Sequence, residues 1–540
     1  MQPHIETFLG FFNRLFTDYL VLTGYWALVP ALFLLCGLFW GLFANFLPGR
    51  DRGASAVGFA CAALAAASSA LIQPGTQLFG GRFFYSYDAR FAAIAIGVLA
   101  ALWCLWTLGS GVGRTREAIA LAMFSSIGAS FAVAATDLIV LFLVLELASM
   151  PGYVLIGYRR YRIAGLEAAL KYFLLSVLST LIMLYGLSFL VGLAQGTTFT
   201  ALNNLPDTPL TFVAVGLVLL GLLAKISAAP FHWWAPDAYE GAEPWAIAFA
   251  SVIPKVAATL VAIRFILVVA ASTPLLHMLL MITAIVSLIV GAFAALQQND
   301  IRRMMAYSGV VNGGYILIAL TIISLGGQYA QTAFYAAVFY VIAYALASMG
   351  ILLIAAHEGG RVSDLSGLAE RNPYLAWCLA LIVLSMIGVP PLVGFFAKLN
   401  LFLVAIDAGL IEIVILAVIV AVVCAFYYLR LIRAAFFGEK PTVPAAPDSA
   451  VATLDEEDES VDTGEMTATE LESTEEDLEL TASDPDAPIS GTISSAIEQA
   501  DCTEKSPYST CAHITIGVIV LLIVSMGIFS HFVMNFLLGS

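Results

Sequence analysis

Long apolar runs dominate this sequence and decide what it can fold into. Of its 540 residues, 61% are hydrophobic and only 11% are charged, whereas a soluble globular domain carries about 25% charged residues. A helix that crosses a bilayer needs roughly 20 mostly apolar residues, and one run after another meets that length here. The composition therefore excludes a soluble globular protein and predicts an all-α polytopic membrane protein.

Hydropathy divides the chain into about 14 predicted transmembrane spans, numbered 1 to 14. They lie near residues 28–48, 54–73, 89–110, 118–135, 137–156, 166–194, 209–229, 245–270, 275–297, 304–325, 331–356, 375–405, 409–436 and 513–537. Arginine and lysine concentrate in the loops that follow odd-numbered spans, which the positive-inside bias assigns to the cytoplasm. Residues 1–27 are predicted to form an N-terminal extension, 28–436 the main membrane core and 513–540 the final helix.

The region between the core and the final helix, residues 437–512, is unlike the rest of the chain. Its stretch 441–512 holds 19 of the 38 acidic residues and a single lysine, Lys505. So polar a segment cannot bury enough apolar surface to offset its chain entropy. We therefore predict a disordered cytoplasmic insert that serves as a solvated tether, with docking of a basic partner or cation binding as the alternatives.

Two spans contain prolines that a continuous helix does not tolerate. Pro230 follows Ala228-Ala229 in span 7, and Pro390-Pro391 lies within span 12. Proline removes a backbone donor and ends or kinks a helix, and a broken helix at membrane depth is tolerated where it is buried in protein or lines a wet cavity. Interrupted segments at corresponding positions of two chain halves point to an internal repeat around an ion path.

Four charged residues lie inside apolar runs: Glu146, Lys225, Lys255 and Lys398. A lysine at the centre of a membrane helix costs about 2.5–3.5 kcal/mol on insertion scales. None of the four has an oppositely charged residue three or four positions away, the spacing at which side chains on one helix pair. Their partners must therefore be other helices or water.

Static ion pairs between helices are one explanation of these charges, and a proton relay is the other. Burial disfavours the charged form of both an amine and a carboxyl group, which brings proton exchange within reach near neutral pH. Three lysines and one comparable glutamate cannot all be neutralised by pairing. The intramembrane charges therefore favour a proton relay.

Two further residues give weaker signals. Lys171 follows Glu167 by four positions, so an ordinary ion pair at a helix entrance explains it as well as a relay role does. His232 lies at the break after span 7 and could carry protons toward water. It could equally be an interfacial residue beside Trp233 and Trp234.

The sequence shows no motif for a cofactor or a metal. No Walker A pattern occurs, and Gly111 and Gly113 are not followed by the third glycine of a dinucleotide site. The seven cysteines form no CxxC pair, and neither a metal cluster nor a disulfide framework is implied. If the chain belongs to a redox machine, we expect the electrons to travel through other subunits.

Four stretches resemble the antiporter-like membrane subunits of respiratory complex I: residues 167–173, 224–242, 300–308 and 388–398. Within that family, the runs Tyr-Glu-Gly-Ala at 239–242 and Ser-Val-Ile-Pro-Lys at 251–255 look most like the subunit N (subunit 2) branch of NADH-quinone oxidoreductase. The likeness covers about residues 28–436. Asn312 stands where this family commonly has a histidine or glutamine.

The resemblance implies two inverted five-helix repeats and a hydrophilic axis at mid-membrane. By motif position, Glu146 matches the glutamate coupled to the seventh-helix lysine, Lys225. Lys255 matches the central relay lysine, Lys398 the terminal one, and Lys171 a sixth-helix lysine of the same network. The resemblance also implies that NAD, FMN, iron–sulfur clusters and quinone bind to other subunits of a bacterial inner-membrane complex, which would be this chain's partners.

Two rival functions remain at this point. A subunit of a multisubunit sodium–proton antiporter would have a related fold, and the 239–242 and 251–255 runs favour the complex I subunit over it. A structural scaffold, whose buried charges only hold helices together, is the other rival. Proton uptake in vesicles would separate a scaffold from a proton conductor.

Overall fold

The apolar stretches form helices long enough to cross a membrane. The structure, a computed structural model, describes residues 25–43, 51–110, 115–159, 162–438, 510–530 and 533. Within these residues, 13 helices combine the length and hydropathy of a membrane span. An interrupted pair of shorter helices occupies the position of predicted span 12. The predicted polytopic helical fold with about 14 spans is confirmed.

The helices of the first half follow one another with short connections. They are α1 (Val29–Phe43), α2 (Asp51–Ala70), α3 (Tyr87–Ser110), α4 (Thr115–Ala134), α5 (Leu138–Ile156), α6 (Ile163–Ala194), α7 (Pro209–Ile226), α8 (Trp234–Gly241), α9 (Pro244–Ala250) and α10 (Ile253–Val269). Between α2 and α3, strands β1 (Thr76–Leu78) and β2 (Phe83–Tyr85) pair antiparallel, with Thr76 opposite Tyr85.

The second half continues the same pattern. Its helices are α11 (Leu276–Leu296), α12 (Ile301–Leu325), α13 (Ala330–Glu358), α14 (Leu368–Arg371), α15 (Pro373–Ile387), α16 (Val393–Asp407), α17 (Ile411–Phe437) and α18 (Thr510–Ile528). Polar side chains satisfy the free amides at several helix starts. Asp137 accepts from the amides of Ile139 and Val140, and Asp300 accepts from those of Arg302 and Arg303.

The core of the bundle is built around α12 and α13. Every residue in the most apolar 18-residue window of α13 is buried, and 94% of the residues in that of α12 are. The corresponding fraction is only 39% for α6 and for α17. Helix α18 packs against α3, α13, α15 and α16. Most polar residues in the middle of α12 and α13 therefore lie inside protein.

Both predicted helix breaks are present. Helix α7 ends at Ser227, whose φ of +65° is left-handed, and the Ala229–Pro230 peptide bond that follows is cis. Helix α15 ends at Gly388, whose φ is +96°, before a second cis bond at Pro390–Pro391. Gly394 allows the closest approach at this second break, because a methyl group there would lie 1.8 Å from the Ser385 carbonyl oxygen.

A third interruption was not predicted. Span 8 reads as one helix in the sequence, but the structure divides it between α9, which ends at Ala250, and α10, which begins at Ile253. Pro254 is the second residue of α10, and a proline that lacks an N–H fits the first turn of a helix better than its interior. Pro254 therefore marks the start of a new helix, which hydropathy alone does not show.

Parts of the predicted organisation lie outside the described residues. Residues 1–24 and 439–509 are among them, so the N-terminal extension and the acidic insert stay predictions. The inverted repeats also stay a prediction, implied by the resemblance and by the two matching breaks.

Candidate functional site

Glu146 and Lys225 form an ion pair inside the bundle. Nζ of Lys225 lies 3.1 Å from Oε2 of Glu146, and the two side chains are 5% and 17% exposed, respectively. The same amine donates a 3.0 Å hydrogen bond to Oγ of Ser149. Lys225 occupies the last turn of α7, where the helix dipole favours a positive charge. The break after α7 thus places an ammonium group where three kinds of acceptor stabilise it.

Neighbouring hydroxyls hold the Glu146 carboxylate in place. Tyr153 donates to its Oε1 at 3.0 Å, and Thr180 of α6 donates to its Oε2 at 3.1 Å. The Tyr153 hydroxyl also lies 2.6 Å from Oγ of Ser176. Hydrogen bonds to a charged acceptor are stronger than those between neutral groups. The carboxylate is therefore oriented from both α5 and α6.

Lys255 has a different environment. Its side chain rises from the first turns of α10 and is buried, and its amine has no hydrogen-bond partner among the described residues. Nζ lies 5.8 Å from the ring centroid of Tyr344 on α13, within the range of a cation–π contact. Burying an amine without a full set of acceptors is costly. The face of the Tyr344 ring offsets part of that cost.

Lys398 is held by the second helix break. Its amine donates to the carbonyl oxygens of Met386 and Ile387 at 2.8 and 3.0 Å. These two carbonyls belong to the last turn of α15, whose negative dipole end favours a cation. The amine also lies 5.6 Å from the ring centroid of Tyr315. Lys398 is therefore stabilised by fixed backbone dipoles and an aromatic face.

Two small cavities lie between these groups. Residues that line the first cavity, which has room for about one water molecule, include Ser149, Ser176, Lys225, Ser251 and Lys255. Residues that line the second, with room for about one or two, include Asn312, Tyr340, Tyr344, Ser385 and Lys398. Lys255 thus shares one cavity with Lys225, and Tyr344, beside the Lys255 amine, shares the other with Lys398.

The two residues with weaker sequence signals lie elsewhere. The Lys171 side chain is 45% exposed and pairs with Glu167 at 2.7 Å and with Asp237 at 3.2 Å. His232 is buried, its Nδ1 has no hydrogen-bond partner among the described residues, and its ring centroid lies 6.3 Å from that of Tyr307. Neither residue lines the two cavities. Of the six predicted site residues, Glu146, Lys225 and Lys255 lie around the first cavity and Lys398 lines the second.

Sequence reasoning missed the hydroxyl groups around these charges. Tyr153 lies seven residues after Glu146, two turns along the same helix face. This separation is larger than the spacings of three and four at which neighbouring side chains on a helix pair. Ser176 and Thr180 lie on α6, and their approach could not be inferred from spacing. Tyr344 gave no signal, because a tyrosine between membrane helices is commonly packing.

No metal centre is formed by the part of the chain that the structure describes. No group of three or more His, Cys, Asp or Glu side chains there comes close enough to hold an ion.

A polytopic helical bundle with broken helices around buried ionisable groups is the architecture of ion-translocating membrane proteins. The family described as NADH:quinone oxidoreductase/Mrp antiporter, transmembrane, matches residues 135–424. NADH-quinone oxidoreductase subunit N 1 of Acidiphilium cryptum (strain JF-5) is 36% identical over 431 residues, which are 76% of this chain and 88% of that protein. Subunit N of Rhodospirillum rubrum is 36% identical over 378 residues, 67% of this chain and 76% of that protein. The chain belongs to this family of antiporter-like membrane subunits.

Solved structures show the same fold at lower identity. A chain of respiratory complex I from Thermus thermophilus aligns with a TM-score of 0.70 at 24% identity, covering 94% of this chain and 98% of that one. A chain of the Mrp complex from Dietzia sp. DQ12-45-1b aligns with a TM-score of 0.73 at 20% identity, covering 96% of each. Both likenesses concern the fold alone.

Proposed function

We propose that this chain is a proton-translocating membrane subunit of an NADH:quinone oxidoreductase and moves protons along a path through Glu146, Lys225, Lys255 and Lys398. Lys255 is the observation that carries the proposal. Its amine is buried, has no hydrogen-bond partner among the described residues, and lines the first cavity together with Lys225. An unpaired buried amine does nothing for a scaffold. A relay, in contrast, needs a site that stabilises neither the protonated nor the neutral form of its amine strongly.

The relatives favour this function over the antiporter alternative. The curated proteins that match over most of their length are named as NADH-quinone oxidoreductase subunits N, whereas the Mrp complex shares the fold at only 20% identity. In this proposal the partners are the other complex I subunits, including neighbouring antiporter-like ones. Those subunits hold the NAD, flavin, iron–sulfur and quinone sites, and the complex lies in a bacterial inner membrane with the acidic insert in the cytoplasm.

The mechanism starts at the Glu146–Lys225 pair. Quinone reduction elsewhere in the complex changes the separation or protonation of the pair, which changes the field that Lys225 exerts on Lys255 across the first cavity. A stronger positive field favours release of the Lys255 proton. The proton moves toward Lys398, which rests against backbone carbonyls, and leaves from there on the outer side. Restoring the pair lets Lys255 take up the next proton.

The test replaces Lys255 by methionine, which keeps the length of the side chain and removes the amine. In vesicles containing the whole complex, we expect NADH-driven quinone reduction to continue while the number of protons translocated per NADH falls. A pH-sensitive dye measures translocation, and NADH absorbance measures turnover. An unchanged proton-to-NADH ratio in the assembled Lys255→Met complex would overturn the proposal.

Thr321→Val is a matched control for this experiment. Thr321 is buried on neighbouring α12, and among the described residues its hydroxyl donates only to the Leu317 carbonyl of its own helix, at 2.8 Å. Valine preserves its shape. This variant removes a buried polar group from the same region without touching the path, so its proton-to-NADH ratio should equal that of the parent.

A further inference from the structure

The proposed path leaves a gap between Lys255 and Lys398. Lys255 lines the first cavity and Lys398 the second, and helices α12 and α13 contact both α10, which carries Lys255, and α16, which carries Lys398. Proton transfer over such a gap needs intervening groups that can both accept and donate a proton. The transfer therefore requires a side chain that lies beside Lys255 and also lines the cavity of Lys398.

Tyr344 of α13 lies at the boundary. Its ring faces the Lys255 amine, with 5.8 Å between Nζ and the ring centroid, and its side chain also lines the second cavity beside Lys398. A methyl group built on Gly309 would lie 2.9 Å from the Lys255 Nζ and 3.2 Å from the Tyr344 hydroxyl oxygen. The amine and the hydroxyl therefore share one small space, which exists because residue 309 has no side chain.

Ser308 lies next to this hydroxyl and is itself fixed. It is fully buried, it is one of two serines close to the Tyr344 hydroxyl, the other being the buried Ser348 of the same helix as Tyr344, and its Oγ lies 2.5 Å from the Tyr428 hydroxyl of α17. Asn312 donates to the Ser308 carbonyl at 2.7 Å and to its Oγ at 3.3 Å. A hydroxyl held from two sides has a restricted direction, so it restricts the direction of its neighbour as well.

Asn312 contributes to this arrangement without carrying a proton itself. Its Oδ1 accepts from the Tyr340 hydroxyl at 2.6 Å while its Nδ2 donates to Ser308. An amide does not titrate near neutral pH, so it can orient hydroxyls but cannot store a proton between two lysines. The hydroxyl groups around it are the remaining candidates for the transfer step.

We propose that the Tyr344 hydroxyl carries the proton between Lys255 and Lys398, and that Ser308 is the positioning residue that orients it. The inference rests on the proposed proton path and adds a residue to it. Because the Lys255 amine has no hydrogen-bond partner among the described residues, its flexible side chain first brings the ammonium within hydrogen-bond distance of the Tyr344 hydroxyl. The ammonium then gives a proton to the Tyr344 oxygen, and the hydroxyl gives its own proton, through a water for which the second cavity has room, to a Lys398 amine that has already released its proton outward. Lys255 ends as a neutral amine, Lys398 as an ammonium, and Tyr344 stays neutral.

Tyr344→Phe removes the hydroxyl and keeps the ring that faces Lys255. In vesicles containing the whole complex, we expect the proton-to-NADH ratio to fall as far as in Lys255→Met. Tyr335→Phe is the matched control, because Tyr335 is on the same helix and is also buried, and because its hydroxyl accepts, within the described part of the chain, only from Gln331, one turn away, at 2.6 Å. We expect it to retain the parental ratio.

Ser308→Ala tests the positioning role. It also tests the Tyr344 link if the Tyr344→Phe complex fails to assemble. We expect translocation to slow several-fold, with a larger solvent isotope effect than in the parent, and Ser308→Thr to restore both. Ser324→Ala is its control, since that buried hydroxyl on the same helix donates, as far as the structure describes the chain, only to the Thr321 carbonyl at 2.7 Å. A purely structural role would slow turnover without changing the isotope effect.

The outcomes separate this inference from the proton path itself. If Lys255→Met lowers the ratio while Tyr344→Phe and Ser308→Ala both keep it, the Tyr344 link is wrong and the path stands. If Lys255→Met also keeps the ratio, the path is wrong and the link falls with it. Equal losses in Lys255→Met and Tyr344→Phe support both.

Discussion

The two broken helices each hold a buried lysine, but they stabilise it differently. At the end of α7, Lys225 pairs with the Glu146 carboxylate at 3.1 Å. Across the break between α15 and α16, Lys398 donates to two backbone carbonyls, those of Met386 and Ile387, at 2.8 and 3.0 Å. In both cases the amine lies at the carbonyl end of a half-helix, where the dipole favours it.

The two kinds of partner differ in whether their charge can change. A carboxylate can be protonated or moved away, and either event alters the electrostatic free energy of Lys225 by several kcal/mol when the pair is buried. Backbone carbonyls do not titrate, so the field at Lys398 is constant. Among the residues that the structure describes, Lys255 has neither kind of partner. In the proposed path, this asymmetry makes the first break the place where an external signal enters and the second break a fixed resting site for the proton.

Removing the variable partner should produce the largest effect. Glu146→Ala leaves the Lys225 ammonium buried with only Ser149 and backbone dipoles, and loss of one member of a buried pair costs about 3–5 kcal/mol. We expect little assembled complex in membranes and no translocation through this subunit. Native gels measure assembly, and vesicle assays measure the proton-to-NADH ratio.

A second substitution shows whether the charge itself is responsible. Lys225→Met in the Glu146→Ala background removes the unpaired ammonium, so we expect assembly to recover while translocation stays lost. If Glu146→Ala alone assembles and pumps like the parent, the pair has no role in either process. The first break is then not the place where an external signal enters.

At the second break, the cation and its proton can be separated. Lys398→Arg keeps a positive charge at the α15 carbonyls but cannot release a proton, whereas Lys398→Met removes the donor and leaves each buried carbonyl short of a partner at about 1–3 kcal/mol. We expect Lys398→Arg to assemble normally and lose translocation, and Lys398→Met to lose both in part. Normal translocation in Lys398→Arg would show that Lys398 only stabilises the break.

The positions of the buried charges were predictable, but their partners were only partly so. Apolar runs located the spans, and Pro230 and Pro390-Pro391 located the breaks, because a missing donor and a fixed φ act locally. The pairing of Glu146 with Lys225, 79 residues apart in the chain, came from the family resemblance. Spacing along one helix cannot show which helices are neighbours.

The hydroxyl groups were not predicted for a related reason. Burying a serine or tyrosine between membrane helices is common, and such residues often serve only as packing contacts. Ser308 and Tyr344 therefore look ordinary in the sequence, and Asn312 is notable there only as a departure from the histidine or glutamine that the family commonly has. Only the cavities and contacts between α10, α12, α13 and α17 distinguish them from the many other polar residues of the spans.

The smallest effect is expected at a lysine outside both breaks. Lys171 was predicted as a weaker member of the relay, but its side chain is 45% exposed and contacts two carboxylates, those of Glu167 and Asp237. Arg303 also lies 3.4 Å from Asp237, so a second cation remains near that carboxylate when the lysine is removed. We therefore expect Lys171→Met to assemble and to lose little of the proton-to-NADH ratio.

The comparison with Lys225→Met makes this last prediction decisive, because both substitutions remove an amine that is paired with carboxylate. If burial in the shared cavity is what makes a lysine part of the path, only Lys225→Met abolishes translocation. If Lys171→Met abolishes it as well, the path extends to the exposed ion pairs, and the field of the Glu167 and Asp237 carboxylates would then have to act on Lys225 from outside the first cavity.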